Sequence, residues 1–134
     1  MKQIGKLISF GKYSGQIRIS GLLPDFDVPN AHKYCGKTLY FEPDVYERLE
    51  QLDSERKKYY YDAMDLSEEL FESAMEKDTT EHWRDRDCVN FDFDAYISGE
   101  PRFDELTELW ENARLLKYEM LKIIKSCLQL SFPN

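Results

Sequence analysis

The sequence predicts an α+β fold: a small antiparallel N-terminal β-sheet, two long α-helices and one further strand between the helices. Three observations predict it. Short alternating apolar segments occupy residues 1–42, apolar residues recur at helical spacing over 43–78 and 101–130, and residues 88–97 alternate strictly between apolar and polar. A chain of 134 residues fits a single domain over 1–134, and its 14% aromatic content indicates a packed core.

The basic N-terminal part, residues 1–42, is predicted to form the sheet. Ile17 and Ile19 share one face of a cleanly alternating segment, and a glycine-bearing turn joins it to the segment before it, which is typical of a β-hairpin. The prolines at positions 24 and 29 indicate that residues 25–30 form a loop or a short edge strand. The sheet could also be a partial barrel. The predicted strands are residues 3–10, 16–20 and 37–41.

The two predicted helices account for most of the remaining chain. Pro43 and Asp44 favour a helix start, because proline is tolerated early and an acid is favourable in the first turn. Arg56 interrupts the apolar stripe and Asp53-Ser54 could cap a second helix, so 43–78 is either one helix or two. The apolar stripes are longer than one small sheet can cover, so we expect association through the helices, including homo-oligomerisation.

Charge is distributed unevenly along the chain. The formal net charge is −8, with +3 over residues 1–42 and −11 over residues 43–134. Residues 62–108 alone contain sixteen acids and four basic residues, a net charge of −12. Only the N-terminal part could therefore attract polyanions.

The ends and the cysteines indicate a cytoplasmic protein. Cys35, Cys88 and Cys127 are an odd number at unrelated spacings, which favours free, buried thiols in a reducing compartment. The N-terminus lacks the apolar region of a signal peptide, and no apolar run is long enough to span a membrane.

No motif for catalysis or for a cofactor is recognisable, so we expect a non-enzymatic protein. The chain lacks a nucleophile elbow, a P-loop and a dinucleotide-binding glycine motif. His32 with Cys35, and His82 with Cys88, could supply soft metal ligands, but the second spacing is loose. Asp92-x-Asp94 has no third fixed ligand for a hard cation. We therefore expect neither a metal nor a cofactor.

The dense acidic segment carries the leading functional hypothesis. Clustered carboxylates repel one another, which lowers the stability of the fold. Docking onto a basic surface of another protein is one function that would account for such a cluster. An inhibitor or antidote, such as a phage counter-defence or toxin-immunity protein, has this size and charge. Trp83, Tyr96 and Trp110 are candidate aromatic anchors. The predicted partner-binding residues are Asp85, Asp87, Asp92, Asp94, Tyr96, Glu100, Asp104, Glu105 and Glu108.

A nucleic-acid-binding module is the alternative, and a small-molecule-binding protein is a further one. The segment 5–10, followed by Gly15-x-Ile17, resembles the opening strands of cold-shock and other OB-type barrels, which stack bases on aromatic strand residues. The resemblance spans about fifteen residues, and the second strand here has no aromatic, so it does not identify the family. The residues of this alternative site are Lys6, Lys12, Arg18 and Lys37.

Overall fold

The computed structural model describes residues 3–13, 15–77 and 100–133. It confirms the α+β class. A four-stranded antiparallel sheet is followed by two long helices, α1 and α2, with a single turn of 3₁₀-helix inserted before the last strand. The predicted strand over 88–97 lies outside the described residues. The elements are β1 (Ile4–Phe10), β2 (Gln16–Ile19), β3 (Asp25–Asp27), the 3₁₀-helix (Ala31–Lys33), β4 (Thr38–Phe41), α1 (Pro43–Lys77) and α2 (Phe103–Ser131).

The sheet has the order β3-β2-β1-β4 and is open rather than closed into a barrel. Register pairs Ile8 with Ile19 and Ile4 with Phe41, so these side chains share one face, and that face is the buried one. β3 is three residues long and lies at one edge of the sheet. The proline-flanked segment thus forms the short edge strand, one of its two predicted alternatives.

The chain forms two compact units, which are described separately. Unit 1 comprises Met1–Lys57 and Arg114–Asn134, and unit 2 comprises Lys58–Ala113. In unit 1 the inner face of the sheet, the first part of α1 and the last part of α2 share one apolar core. Its largest fully buried side chains are Ile8, Ile17, Ile19, Phe26, Leu39, Phe41, Leu49, Leu52, Met120 and Ile124.

α1 is one continuous helix of 35 residues, so the break considered at Asp53-Ser54 does not occur. Asp53 is 2% exposed and its carboxylate accepts hydrogen bonds from the Leu23 backbone N–H at 3.2 Å and from Arg56 Nε at 3.3 Å. Arg56 interrupts the apolar stripe because it lies beside this buried carboxylate. Asp53 therefore fastens the loop between β2 and β3 to the helix.

The core of unit 2 is small and lies between the second part of α1 and the first part of α2. Leu66 and Leu70 of α1 and Leu106 of α2 are buried together with Ala63. Phe71, Phe103 and Leu109 pack partly buried against this cluster. Each buried leucine side chain contributes about 1.5–3 kcal/mol of transfer free energy, so this core holds the two helical segments together.

None of the helices within the described residues has an apolar stretch long enough to cross a lipid bilayer.

Unit 1 should lose stability in acid through Asp25. Burial raises the pKa of this carboxyl, but hydrogen bonds from the Arg18 side chain at 2.7 and 3.2 Å and from the Lys12 N–H at 3.0 Å, with the charges of Arg18 and Lys117, lower it below its usual value. The stabilisation is therefore present above the unfolded-state pKa of about 4 and is lost as the pH falls through the lower folded-state pKa.

The measurement is urea unfolding between pH 6 and pH 2.5. Asp25→Asn should flatten the acid dependence of the free energy of unfolding. Asp27→Asn is the matched control, because Asp27 lies on the same strand and accepts a hydrogen bond from the neutral Gln16 amide at 2.9 Å. An acid dependence unchanged in Asp25→Asn would show that the Arg18–Asp25 pair does not contribute to it.

Candidate functional site

The charge imbalance of the chain follows the boundary between the two units. By sequence, unit 1 holds thirteen Lys/Arg and nine Asp/Glu, a net charge of +4. Unit 2 holds five Lys/Arg and seventeen Asp/Glu, a net charge of −12. The basic residues near the end of the chain belong to unit 1, so the division differs from a simple split at residue 42. Unit 2 is therefore the part whose field would attract a cationic partner.

Four carboxylates form a stripe along the unit 2 part of α1. Asp62, Asp65, Glu69 and Glu72 recur at intervals of three and four residues, so they share one side of the helix. All four are exposed, while Ala63, Leu66 and Leu70 are buried. The buried leucines thus fix the orientation of this segment and place the acidic stripe in solvent.

Arg102 connects the stripe to α2. Its Nη1 donates to Glu69 at 3.1 Å, and its Nε and Nη2 donate to both oxygens of Glu105 at 2.9 and 3.1 Å. The hydrogen bond from Arg102, opposed by partial desolvation, lowers the pKa of the Glu105 carboxyl below its usual value. The same guanidinium therefore partly neutralises both carboxylates.

Between the two helical segments of unit 2 lies a groove of about 240 Å³, here termed the acidic groove. Leu66 and Leu109 provide its apolar surface. Within the described part of the chain, Asp62 and Asp65 have no cationic partner, in contrast to Glu69 and Glu105. The groove thus combines an apolar surface with uncompensated negative charge. Its lining is Asp62, Asp65, Leu66, Glu69, Arg102, Glu105 and Leu109.

Exposed aromatic side chains accompany the groove. Tyr61 is 54% exposed, and its helical spacing places it one turn before Asp65 on the same face. Trp110, which does not line the groove, contacts Tyr60 edge-to-face with ring centroids 5.4 Å apart. Trp110 is a predicted anchor, whereas Tyr61 was missed. The acids from Asp62 to Glu72 are spaced by three and four residues, and this spacing was the sequence signal that could have indicated Tyr61.

The predicted partner-binding residues are only partly described. Asp104, Glu105 and Glu108 are exposed on the first two turns of α2, and of these three only Glu105 lines the acidic groove. Glu100 is half-buried and accepts a hydrogen bond from Ser73 Oγ at 3.3 Å. The other predicted partner-binding residues lie outside the described residues: Asp85, Asp87, Asp92, Asp94 and Tyr96. Trp83, His82 and Cys88 also lie outside them.

The four basic residues of the nucleic-acid alternative do not share one face. Lys6 lies on the inner side of the sheet with its Nζ 4.6 Å from the Tyr46 ring centroid. Arg18 is on the outer side and ion-paired to Asp25. Lys12 is exposed in the turn after β1, and Lys37 precedes β4 with its Nζ 5.1 Å from the Phe132 ring centroid.

Neither described thiol is activated. Burial raises the pKa of Cys35 and of Cys127, so both are protonated at neutral pH. Cys35 Sγ donates to the Ala31 carbonyl at 3.5 Å. Over residues 3–13, 15–77 and 100–133, no three His, Cys, Asp or Glu side chains are arranged to hold a metal ion.

Comparison with protein-family models, with curated proteins and with solved structures finds no match to this chain.

Proposed function

We propose that this chain is a non-enzymatic binding protein whose unit 2 docks onto a basic site of a partner protein, as an inhibitor or antidote would. One observation carries the proposal. The acidic groove presents Asp62 and Asp65 without a cationic partner in the described chain, beside the apolar side chains of Leu66 and Leu109. An exposed carboxylate pair that served only solubility would need no apolar groove next to it.

The groove is suited to a lysine or arginine side chain. The aliphatic stem of such a residue would pack on Leu66 and Leu109, while its charged end would meet Asp62 and Asp65. Tyr61 offers an exposed ring one turn before Asp65, and tyrosine is frequent among residues that dominate interface energies. The groove thus provides both a charge and an apolar contact for one side chain.

Long-range attraction should make the association fast. Unit 2 has a net charge of −12, and complementary charge raises association rate constants by about 10- to 1,000-fold at low salt. Short-range contacts in the groove would then set the lifetime of the complex. Fast capture suits an inhibitor or antidote, which must occupy a basic site before the natural ligand of that site does.

Charge reversal in the groove tests the proposal. The partner is first captured from the native host and identified, and its association with the intact chain is then followed by stopped-flow fluorescence. Asp62→Lys with Asp65→Lys should slow association at least about tenfold at low salt and reduce its salt dependence. Both positions are exposed, so the urea midpoint should stay nearly unchanged.

The matched control is Glu47→Lys with Glu50→Lys, an equal change of net charge at exposed positions of the same helix in unit 1. It should slow association much less. Equal slowing by both pairs of substitutions would show that only the net charge matters, and it would reject the acidic groove as the binding site. Salt-sensitive binding of single-stranded RNA that disappears in Lys12→Gln would favour the nucleic-acid alternative instead.

A further inference from the structure

A second concave surface lies in unit 1, apart from the acidic groove. It is a cleft of about 540 Å³ between the segment that follows β3 and the last turns of α2. Pockets that hold small organic ligands have volumes of roughly 300–1,000 Å³. The residues that line this cleft are Val28, Pro29, Asn30, Tyr34, Lys125, Leu128, Gln129, Phe132 and Pro133.

The lining is mainly apolar and includes two aromatic rings. Tyr34 and Phe132 contact each other with ring centroids 5.7 Å apart and planes tilted by 45°. Val28 and Leu128 line the cleft, are buried and belong to the core of unit 1. A flat apolar group could therefore rest against rings that the core already holds in place.

The charge of the cleft is the reverse of that of the chain as a whole. The chain has 26 acids and 18 basic residues, yet among the described residues no Asp or Glu lines the cleft and Lys125 is its one ionised side chain. Lys125 has no carboxylate partner within that same part of the chain. Lys37 does not line the cleft, but its ammonium group lies 5.1 Å from the ring centroid of Phe132, which does.

The end of α2 opposes this positive charge only in part. A helix C-terminus carries about half of a negative elementary charge, and its effect fades within one turn. The Phe132 N–H donates to the Leu128 carbonyl at 2.8 Å, which satisfies one of the terminal carbonyls. The full ammonium charge of Lys125 therefore outweighs the partial charge of the helix end.

We propose that this cleft binds a small organic carboxylate with a flat apolar body. The body would pack between Tyr34, Leu128 and Phe132, and the carboxylate would meet the Lys125 ammonium group. The amide side chains of Asn30 and Gln129 can supply further hydrogen-bond donors. Recognition would thus require both an apolar ring system and an anionic group.

The test is isothermal titration calorimetry of the full chain with 2-naphthylacetate. Its neutral analogue, 2-naphthaleneethanol, has the same ring system without the carboxylate. The acid should bind with a Kd below about 1 mM, and the alcohol about tenfold more weakly. Lys125→Gln should abolish this preference, whereas Lys122→Gln, which removes an exposed lysine of the same helix outside the cleft, should preserve it.

Amide chemical shifts from NMR locate the binding. Addition of 2-naphthylacetate should shift the amides of Tyr34, Leu128 and Phe132, and Phe132→Leu should weaken binding of acid and alcohol alike. Three results would each overturn the proposal. The first is no binding of the acid at about 2 mM, which is twice the expected upper limit of its Kd. The others are equal affinity for acid and alcohol, and chemical-shift changes confined to unit 2. The cleft shares no residue with the acidic groove, so this result is independent of the protein-binding function.

Discussion

Asp53→Ala should reduce the free energy of unfolding of unit 1 by about 3 kcal/mol. The carboxylate is almost completely buried and has three partners: the Leu23 N–H, Arg56 Nε at 3.3 Å and, more distantly, Lys57 Nζ at 3.8 Å. Removing it leaves the Leu23 donor without this acceptor. It also removes the carboxylate that lies beside the guanidinium group of Arg56, and the Arg56 side chain is only 11% exposed.

The measurement is urea unfolding followed by circular dichroism. Glu55→Ala is the control, because Glu55 is an exposed acid of the same helix, and its loss should change stability by less than about 0.5 kcal/mol. Asp53→Asn keeps an acceptor for Leu23 but removes the charge, so its loss should be intermediate. If the Asp53→Ala variant does not fold, the test is made on Asp53→Asn instead, by measuring hydrogen exchange at the Leu23 amide. Equal losses in the Asp53→Ala and Glu55→Ala variants would show that the buried carboxylate does not hold the loop.

Gly21→Ala should also cost about 3 kcal/mol, for two reasons that can be separated. Gly21 has a φ of 93°, a conformation that alanine adopts only with strain. A Cβ atom at this position would also lie 2.5 Å from Tyr46 Oη, and Tyr46 is buried against the sheet. Either the loop or the tyrosine would have to move.

Gly15→Ala isolates the backbone contribution. Gly15 has a φ of 90° but an added Cβ would meet no atom within 4 Å, so the expected loss is only about 1 kcal/mol. In a Tyr46→Phe background, which lacks the hydroxyl, Gly21→Ala should approach this smaller value. Thermal unfolding of the single and double variants provides the comparison. A Gly21→Ala cost that is the same in the original chain and in the Tyr46→Phe background would exclude the contact as its cause.

The fold could be predicted from local patterns because most of its elements have strong ones. Alternation around Ile17 and helical spacing after Pro43 were sufficient for β2 and α1. The sequence left open whether Asp53 caps a second helix, because the backbone N–H that its carboxylate binds instead, that of Leu23, is thirty residues away in sequence. The ion pair between Arg18 and Asp25 likewise requires the register of two strands, which the sequence does not specify.

The candidate site was predicted only in outline. The concentration of acids could be read from composition, and Glu105 was among the residues singled out. The groove itself depends on the packing of α1 against α2 in unit 2, which places Asp62 and Asp65 near Glu105. Their helical spacing is present in the sequence, but acids are denser over residues 85–108, and density alone does not show which acids lie beside an apolar surface. The neutralising role of Arg102 also follows only from the tertiary structure.

Unit 1 consists of two segments that are separated in sequence by unit 2, and this has a consequence for the synthesis of the protein. Its core joins β1, β2 and β4 to Met120, Ile124 and Leu128, which leave the ribosome only after the whole of unit 2. During translation, Ile17 and Leu39 therefore remain without these packing partners until the last part of α2 has emerged, whereas unit 2 is a contiguous segment and is complete earlier. A nascent chain that ends before Met120 would have only the first part of α1 to cover the apolar face of the sheet, and apolar surface left exposed in this way favours aggregation and chaperone binding.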